Sequence, residues 1–197
     1  ELVYWADRID SADFTPDEVL CPEKYDYILL SMTVSAENGR DESYWDKLVR
    51  LLREKEIAHV MADPDVQAHC RTIVQQNSEY AAWLKRYTRV EGHVAITDFR
   101  ALDHPPSGNR YLAYCLFPAC VVSLRIRYQD PQKQTVVVNI GHSIFTPYCN
   151  VHAGQLLTNF GGGGHRGAAS ARFPAAKAET YLPQIIDVLV KNQAQRS

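Results

Sequence analysis

The sequence lacks a hydrophobic run long enough to cross a membrane. A bilayer-spanning helix needs about 20 consecutive apolar residues, and the longest apolar stretches here, at residues 119–124 and 185–190, are far shorter. No basic segment followed by an apolar one stands at the start, and the first residue is Glu1 rather than Met. We therefore expect no membrane partner and a chain that is a piece of a longer protein.

Cysteine is sparse and follows no metal-binding or disulfide pattern. The five cysteines are odd in number, and no two of them form a Cys-x-x-Cys pair. Cys149 and His152 have the spacing of half a zinc site, but no second pair accompanies them. Scattered thiols are typical of buried side chains in a reducing compartment, so the cysteines predict a cytoplasmic protein.

The net charge is small but unevenly distributed. Of 197 residues, 46% are hydrophobic and 22% charged, with a formal net charge of −2, which is ordinary for a globular chain of one domain or two small ones. Residues 1–90 carry 11 Lys and Arg against 17 Asp and Glu, whereas residues 91–197 carry 10 against 6. The basic C-terminal half suits an anionic ligand.

The hydrophobic period changes near residue 90. Before residue 90, stripes of apolar residues at helical spacing follow the candidate caps Asp41 and Asp63. Helices are predicted at 25–32, 42–52 and 66–87. Residues 60–62 are either a short strand or a helix end. Beyond it, β-branched and aromatic residues predict strands, linked by hairpins, at 94–96, 111–117, 121–128 and 135–140. A helix at 151–160 follows, with Asn150 as N-cap and Gly161 at its end, and then a strand at 168–173 and a helix at 179–190.

These elements predict an α/β (α+β) fold. A mixed β-sheet flanked by helices is expected in a C-terminal domain of residues 90–197, preceded by a helical segment of residues 1–89.

A glycine run follows the predicted helix at 151–160. Residues 161–169 hold five of the ten glycines of the chain and read Gly-Gly-Gly-Gly-His-Arg-Gly-Ala-Ala. Successive glycines cost backbone entropy, but without Cβ atoms their amides can line a nest around a phosphate or carboxylate, and His165 and Arg166 add donors. The run is neither a Walker loop nor a Rossmann turn, since no Lys-Ser/Thr follows it and a helix precedes it. The sequence predicts an anion site here, with a flexible linker as the alternative.

Two motifs in the C-terminal half carry a family resemblance. Gly162-Gly163-Gly164-His165, with Ala168-Ala169 after it, resembles the signature of the substrate-binding DHHA1 domain of DHH phosphoesterases. The stretch 122–125, Val-Ser-Leu-Arg, resembles the family's strand whose arginine reaches the substrate phosphate. The resemblance covers residues 90–197; Ser170 stands where many members have Gly, with little expected consequence.

The resemblance implies an N-terminal lobe that holds two divalent metals, usually Mn2+. This chain has no Asp-His-His triplet, so residues 1–89 would be the last remnant of that DHH catalytic domain plus a helical connector. Residues 5–10 resemble the stretch with the family's final metal-binding Asp, which makes Asp7 the first candidate and Asp10 the second; surface carboxylates are the alternative. One carboxylate cannot hold two metals, so we expect this chain alone to bind metal weakly or not at all and to be inactive.

Other polar residues lie between the predicted Arg125 strand and the glycine run. Ser143, Asn150 and His152 are either substrate contacts at a helix N-terminus or capping and packing residues. Arg127 alternates with Arg125 along one strand, so both arginines should share a face.

The resemblance therefore implies the C-terminal part of a metal-dependent phosphoesterase. Arg125, His165 and Arg166, with the amides of Gly162, Gly163 and Gly164, would hold the substrate phosphate. The expected partner is a short oligonucleotide or a phosphorylated nucleotide, with polyphosphate as an alternative, and the oligomeric state is open between a monomer and a homodimer. The alternative function is a non-catalytic nucleic-acid-binding module, like the similar domains appended to alanyl-tRNA synthetases.

Overall fold

The computed structural model describes residues 1–34, 41–146 and 148–193. The chain forms two compact units, residues 1–80 with 107–109, and residues 81–106 with 110–197. The assignment of domains to residues 1–89 and 90–197 stays a prediction.

The first unit is helical. Its helices are α1 (Leu2–Asp10), α2 (Pro16–Leu20), α3 (Asp26–Met32), α4 (Glu42–Glu54), α5 (Ile57–Met61) and the start of α6 (Pro64–Tyr87), with a 3-10 turn at Pro22–Lys24. Its core includes Leu29, Leu30, Leu48 and Val60, all at most 5% exposed. Residues 60–61 end a helix, which resolves the open choice between helix and strand.

The predicted helix starts at Asp41 and Asp63 have a physical basis in side-chain caps. Asp41 accepts a hydrogen bond from the Tyr44 amide at 3.0 Å. Asp63 accepts one from the Asp65 amide at 3.0 Å, and Pro64 fits the first turn, where its missing N–H costs no hydrogen bond. Both caps satisfy amides that a helix leaves unpaired at its start.

The second unit contains a six-stranded mixed sheet in the order β1-β2-β3-β4-β6-β5. Its strands are β1 (Thr88–Glu91), β2 (Val94–Asp98), β3 (Val122–Tyr128), β4 (Thr135–His142), β5 (Gly163–Gly164) and β6 (Ala168–Pro174), and its other helices are α7 (Leu112–Leu116), α8 (Ala153–Thr158) and α9 (Ala178–Lys191). Strands β2 and β3 pair in parallel and all other neighbours are antiparallel. The predicted α+β class, a mixed sheet with helices, is confirmed.

Three local predictions in this unit are wrong. Residues 111–117 form no strand but the helix α7, whose Leu112 and Tyr114 are buried. Since β2 and β3 are parallel, a crossover and not a hairpin must join them. Helix α8 is shorter than predicted, and its N-cap is His152 rather than Asn150, because the His152 ring accepts the Gln155 amide at 3.2 Å.

The two faces of the sheet differ in chemistry. On β3, Val122, Leu124 and Ile126 point into a core that also holds apolar side chains of α8 and α9. The intervening Ser123, Arg125 and Arg127 are only partly buried and point to the opposite face, as strand alternation requires. The two arginines therefore share a face, as predicted.

All five cysteines are free thiols, and Cys70, Cys120 and Cys149 are buried. Burial raises the pKa of the Cys115 thiol to about 11, which leaves it protonated near neutral pH. Within the described part of the chain, no helix combines the length and the apolar character that crossing a membrane requires.

Candidate functional site

A line of polar positions crosses the sheet on the face opposite the core. Arg125 on β3 is in register with Asn139 on β4, which is paired with Ser170 on β6, which in turn is paired with Gly163 on β5. On the other side of Arg125 lies Thr97 of β2. Neighbouring strands are about 4.8 Å apart. These positions, which we call the polar row, therefore run across the sheet from the predicted phosphate-binding Arg125 to Gly163 on β5.

Hydrogen bonds fix the middle of the polar row. The Asn139 amide nitrogen donates to Ser170 Oγ at 3.1 Å, and Ser170 Oγ donates to the Val138 carbonyl at 3.1 Å. Asn139 Oδ1 is buried and has no hydrogen-bond partner among the described residues. Ser170, expected to matter little, therefore connects two strands. Sequence reasoning missed Asn139, since only the strand register places it beside Arg125.

Most of the glycine run is required by the fold itself. Gly161 has φ of +75° and Gly162 donates its amide to the Leu157 carbonyl at 2.9 Å, which together end α8. A Cβ at Gly162 would collide with the Ser170 carbonyl, and one at Gly164, where φ is +146°, would collide with the Ala168 carbonyl. At Gly163 a Cβ would meet no atom of the described residues within 4 Å. Open space for a ligand therefore exists at Gly163, and the Gly162 amide is already engaged.

The tip of the glycine loop is open to solvent. His165 and Arg166 are exposed, and among the described residues neither side chain makes a hydrogen bond or ion pair. Their carbonyls accept the amides of Gly154 and Ala153, both at 3.0 Å. The first amides of α8 are therefore bonded to the loop rather than open to an anion, and the loop offers its side chains instead.

His142 lies at the end of β4 beside this loop. Its amide donates to the Gly167 carbonyl at 2.8 Å, and its Nε2 is buried with no hydrogen-bond partner in the described part of the chain. Burial is the main cause that lowers the pKa of His142; the nearby Arg166 and His152 lower it further, against a hydrogen bond with the Val151 backbone. A neutral imidazole is therefore favoured here.

Three predicted contacts have structural roles. Ser143 is 4% exposed and accepts the Thr146 amide at 3.1 Å. Asn150 donates its side-chain amide to the Asn192 carbonyl at 3.1 Å and so holds the end of α9. His152 caps α8. The sequence left these residues as either substrate contacts or capping and packing residues, and the structure shows capping and packing roles. Contact with a substrate stays a prediction for all three.

The metal candidates lie on α1. Asp7 and Asp10 are exposed. Arg8, which lies between them in the sequence, donates two hydrogen bonds of 3.0 Å to the Glu18 carboxylate, one from each terminal guanidinium nitrogen. Within residues 1–34, 41–146 and 148–193, no three His, Cys, Asp or Glu side chains come together as a metal site. The described residues therefore do not fit a two-metal centre by themselves, and the Mn2+ prediction rests on the family resemblance.

A known structure shares this fold. No protein-family model and no curated protein matches the sequence. The pGpG-specific phosphodiesterase PggH from Vibrio cholerae superposes on 97% of this chain with a TM-score of 0.88 at 24% identity, and this chain spans 66% of that one.

Two further structures are more distant. An exopolyphosphatase-related protein from Bacteroides fragilis gives a TM-score of 0.45 at 12% identity over 78% of this chain and 45% of its own. A DHH domain, from a protein described as a member of a family of ribosomal proteins, gives 0.46 at 14% identity over 86% and 43%. The PggH match shows that this chain has the fold of a solved phosphodiesterase structure, which confirms the predicted resemblance at the level of the fold.

Proposed function

We propose that this chain is the substrate-binding part of a DHH-family phosphoesterase. The second unit would hold the phosphate of a short oligonucleotide or phosphorylated nucleotide between the polar row and the glycine loop. The observation that carries the proposal is the in-register row from Arg125 to Gly163, which joins the two sequence motifs on one face of the sheet. The fold shared with a pGpG-specific phosphodiesterase supports a linear dinucleotide as the first substrate to test.

The roles of the residues follow from their chemistry. The Arg125 guanidinium can hold a phosphate through two parallel hydrogen bonds. Gly163 lets a phosphate approach the backbone of β5, because no side chain occupies that space. His165 and Arg166 are exposed at the loop tip and would close around the ligand from solvent.

Hydrolysis would need metal ligands beyond those of this chain. Asp7, or Asp10 in its place, would supply one ligand at most. We therefore propose that the chain binds its substrate without hydrolysing it, and that catalysis belongs to a longer protein.

The fold match with PggH also bears on the choice between the alternative functions. It extends over 97% of the chain, the helical first unit included, which supports a phosphoesterase over an appended nucleic-acid-binding module. Polyphosphate stays a competing ligand, because the residues of the site recognise phosphate rather than a base.

The test is direct binding of a fluorescent 5′-phosphorylated diguanylate to the full chain. Arg125→Ala and His165→Ala should each weaken binding by about tenfold, since each removes a donor to phosphate. Matched controls are Arg89→Ala, whose arginine pairs with Glu91 on β1, and His104→Ala, an exposed histidine on a loop. Unchanged affinity in folded Arg125→Ala and His165→Ala would refute the proposal; displacement of the dinucleotide by polyphosphate but not by other dinucleotides would reassign the substrate.

A further inference from the structure

The Asn139 side chain has a fixed orientation. Ser170 Oγ donates its only proton to the Val138 carbonyl, so towards Asn139 it can act only as an acceptor. The group that faces Ser170 must therefore be the Asn139 amino group, and the hydrogen-bond network settles the amide orientation. Oδ1 is then the atom of this amide that does not face Ser170.

Asn139 Oδ1 is an acceptor without a donor. It is shielded from solvent and has no hydrogen-bond partner among the described residues. A buried polar atom left in this state is unfavourable and rare in folded proteins. A hydrogen-bond donor that reached this oxygen would therefore be stabilising.

Arg125 is the residue that the sheet pairs with Asn139 on the strand opposite β6. It is directly opposite Asn139 in the register of β3 and β4, where Cβ atoms are about 5 Å apart. Its guanidinium carries five N–H groups, and in the present structure Arg125 makes other interactions.

We infer that Asn139 is a positioning residue that holds the Arg125 guanidinium against a bound phosphate, with Ser170 fixing the Asn139 amide. This inference rests on the proposed function. Two N–H groups of Arg125 bind the phosphate, and another donates to Asn139 Oδ1. Because the amide oxygen is neutral, it orients the guanidinium without cancelling the positive charge that attracts the phosphate.

The experiment is a double-mutant cycle on the full chain, with the fluorescent 5′-phosphorylated diguanylate as probe. Asn139→Leu keeps the size of the side chain and removes the acceptor, so binding should weaken about tenfold with Arg125 present and less than about twofold in the Arg125→Ala background. Asn139→Asp should also weaken binding, because a carboxylate would pair with Arg125 and offset its charge. Ser170→Ala should weaken it by about threefold through loss of the amide anchor.

Asn77 provides the matched control. Its amide nitrogen donates to the Val19 carbonyl at 3.4 Å and its Oδ1 is likewise buried without a partner among the described residues, but it lies in the first unit. Asn77→Leu should therefore change the melting temperature without changing dinucleotide affinity.

The outcomes separate this inference from the proposed function. If Arg125→Ala weakens binding and Asn139→Leu changes only the melting temperature, the positioning role is overturned while the binding site stands. Equal losses from Asn139→Leu with and without Arg125 also overturn it, because Asn139 would then act independently of the arginine. If neither Arg125→Ala nor His165→Ala changes affinity, the proposed function itself fails.

Discussion

Gly163 differs from the glycines on both sides of it. A Cβ at Gly162 or Gly164 would collide with backbone atoms of β6, whereas one at Gly163 would enter open space. The same run therefore contains glycines that the fold requires and one that it does not require. Gly163 lies at the end of the polar row, at a position where the fold does not require a glycine. A ligand that approaches the backbone there would explain why this position has no side chain.

Alanine substitutions separate these two roles. Gly162→Ala should lower the free energy of unfolding by about 2 kcal/mol, because β6 must shift to admit the methyl group. Gly163→Ala should leave stability within about 0.5 kcal/mol but weaken dinucleotide binding several-fold, since the methyl group occupies the approach to the backbone. Chemical denaturation and probe binding measure the two effects; a Gly163→Ala chain that binds normally would contradict the role given to this glycine.

The sequence predicted two candidate donors but not their surroundings. The motifs identified Arg125 and His165 as candidates, because residue type and spacing are local properties. Asn139 could not be identified, since its significance depends on which residue lies opposite it on the next strand. The hydrogen bond that the Gly162 amide makes at the end of α8 could not be predicted either, because a run of glycines in a sequence does not show which amides are already bonded.

Helices α1 and α2 are connected by a nearly buried ion pair. Arg8 and Glu18 meet through two hydrogen bonds of 3.0 Å, and the Glu18 side chain is 5% exposed. Burial alone would raise the pKa of Glu18, but hydrogen bonds from Arg8 and from Thr15 outweigh it and lower that pKa. The carboxylate is therefore the favoured form in the folded chain.

This ion pair predicts how stability depends on pH. The unfolded chain protonates Glu18 at a higher pH than the folded one, so the contribution is complete above the ordinary carboxyl range and is lost as pH falls through the lowered pKa. Glu18→Gln should lower the free energy of unfolding by about 2–3 kcal/mol at neutral pH and flatten its fall on acidification. Denaturation from about pH 7 to about pH 3 measures this.

Glu54→Gln is the control for that experiment, because Glu54 is exposed and makes no ion pair among the described residues. It should keep the wild-type slope. An unchanged slope in Glu18→Gln would show that this carboxyl contributes nothing to acid stability.

Elements with local signals were predictable and the others were not. Helices α4 and α6 are each predicted by an aspartate cap, Asp41 or Asp63, and by the stripe of apolar residues that comes directly after it. Cap and stripe are neighbours in the sequence, so the signal is local. Residues 112–116 carry aromatic and apolar side chains typical of a strand, yet they form α7, where the Tyr114 hydroxyl bonds Ser123 Oγ at 2.8 Å. Tertiary packing overrides strand propensity there.

The net charge of the molecule is −2, but the uneven distribution of its charges favours anion binding in the C-terminal half. The excess of Lys and Arg in residues 91–197 lies in the same half as Arg125 and the glycine loop. An attraction of this kind is screened by salt. The molecule as a whole should therefore bind its ligand less well as ionic strength rises.

The expected salt dependence can be stated as a slope. If two phosphate contacts are made, as for a short single strand, a fourfold rise in NaCl from about 50 mM to about 200 mM should weaken binding roughly sevenfold. Arg125→Ala should reduce the slope, whereas Arg89→Ala should not. Titrations of the fluorescent diguanylate at several salt concentrations measure it, and a salt-independent affinity would be inconsistent with phosphate recognition.

The most direct test of the binding site is an amide-resolved NMR titration of the full chain with 5′-phosphorylated diguanylate. The site described here predicts that the largest shifts fall on Arg125, Asn139, Ser170 and residues 163–166, and that they disappear in Arg125→Ala. Shifts confined to the helices of the first unit, or to β1 at the far edge of the sheet, would contradict it.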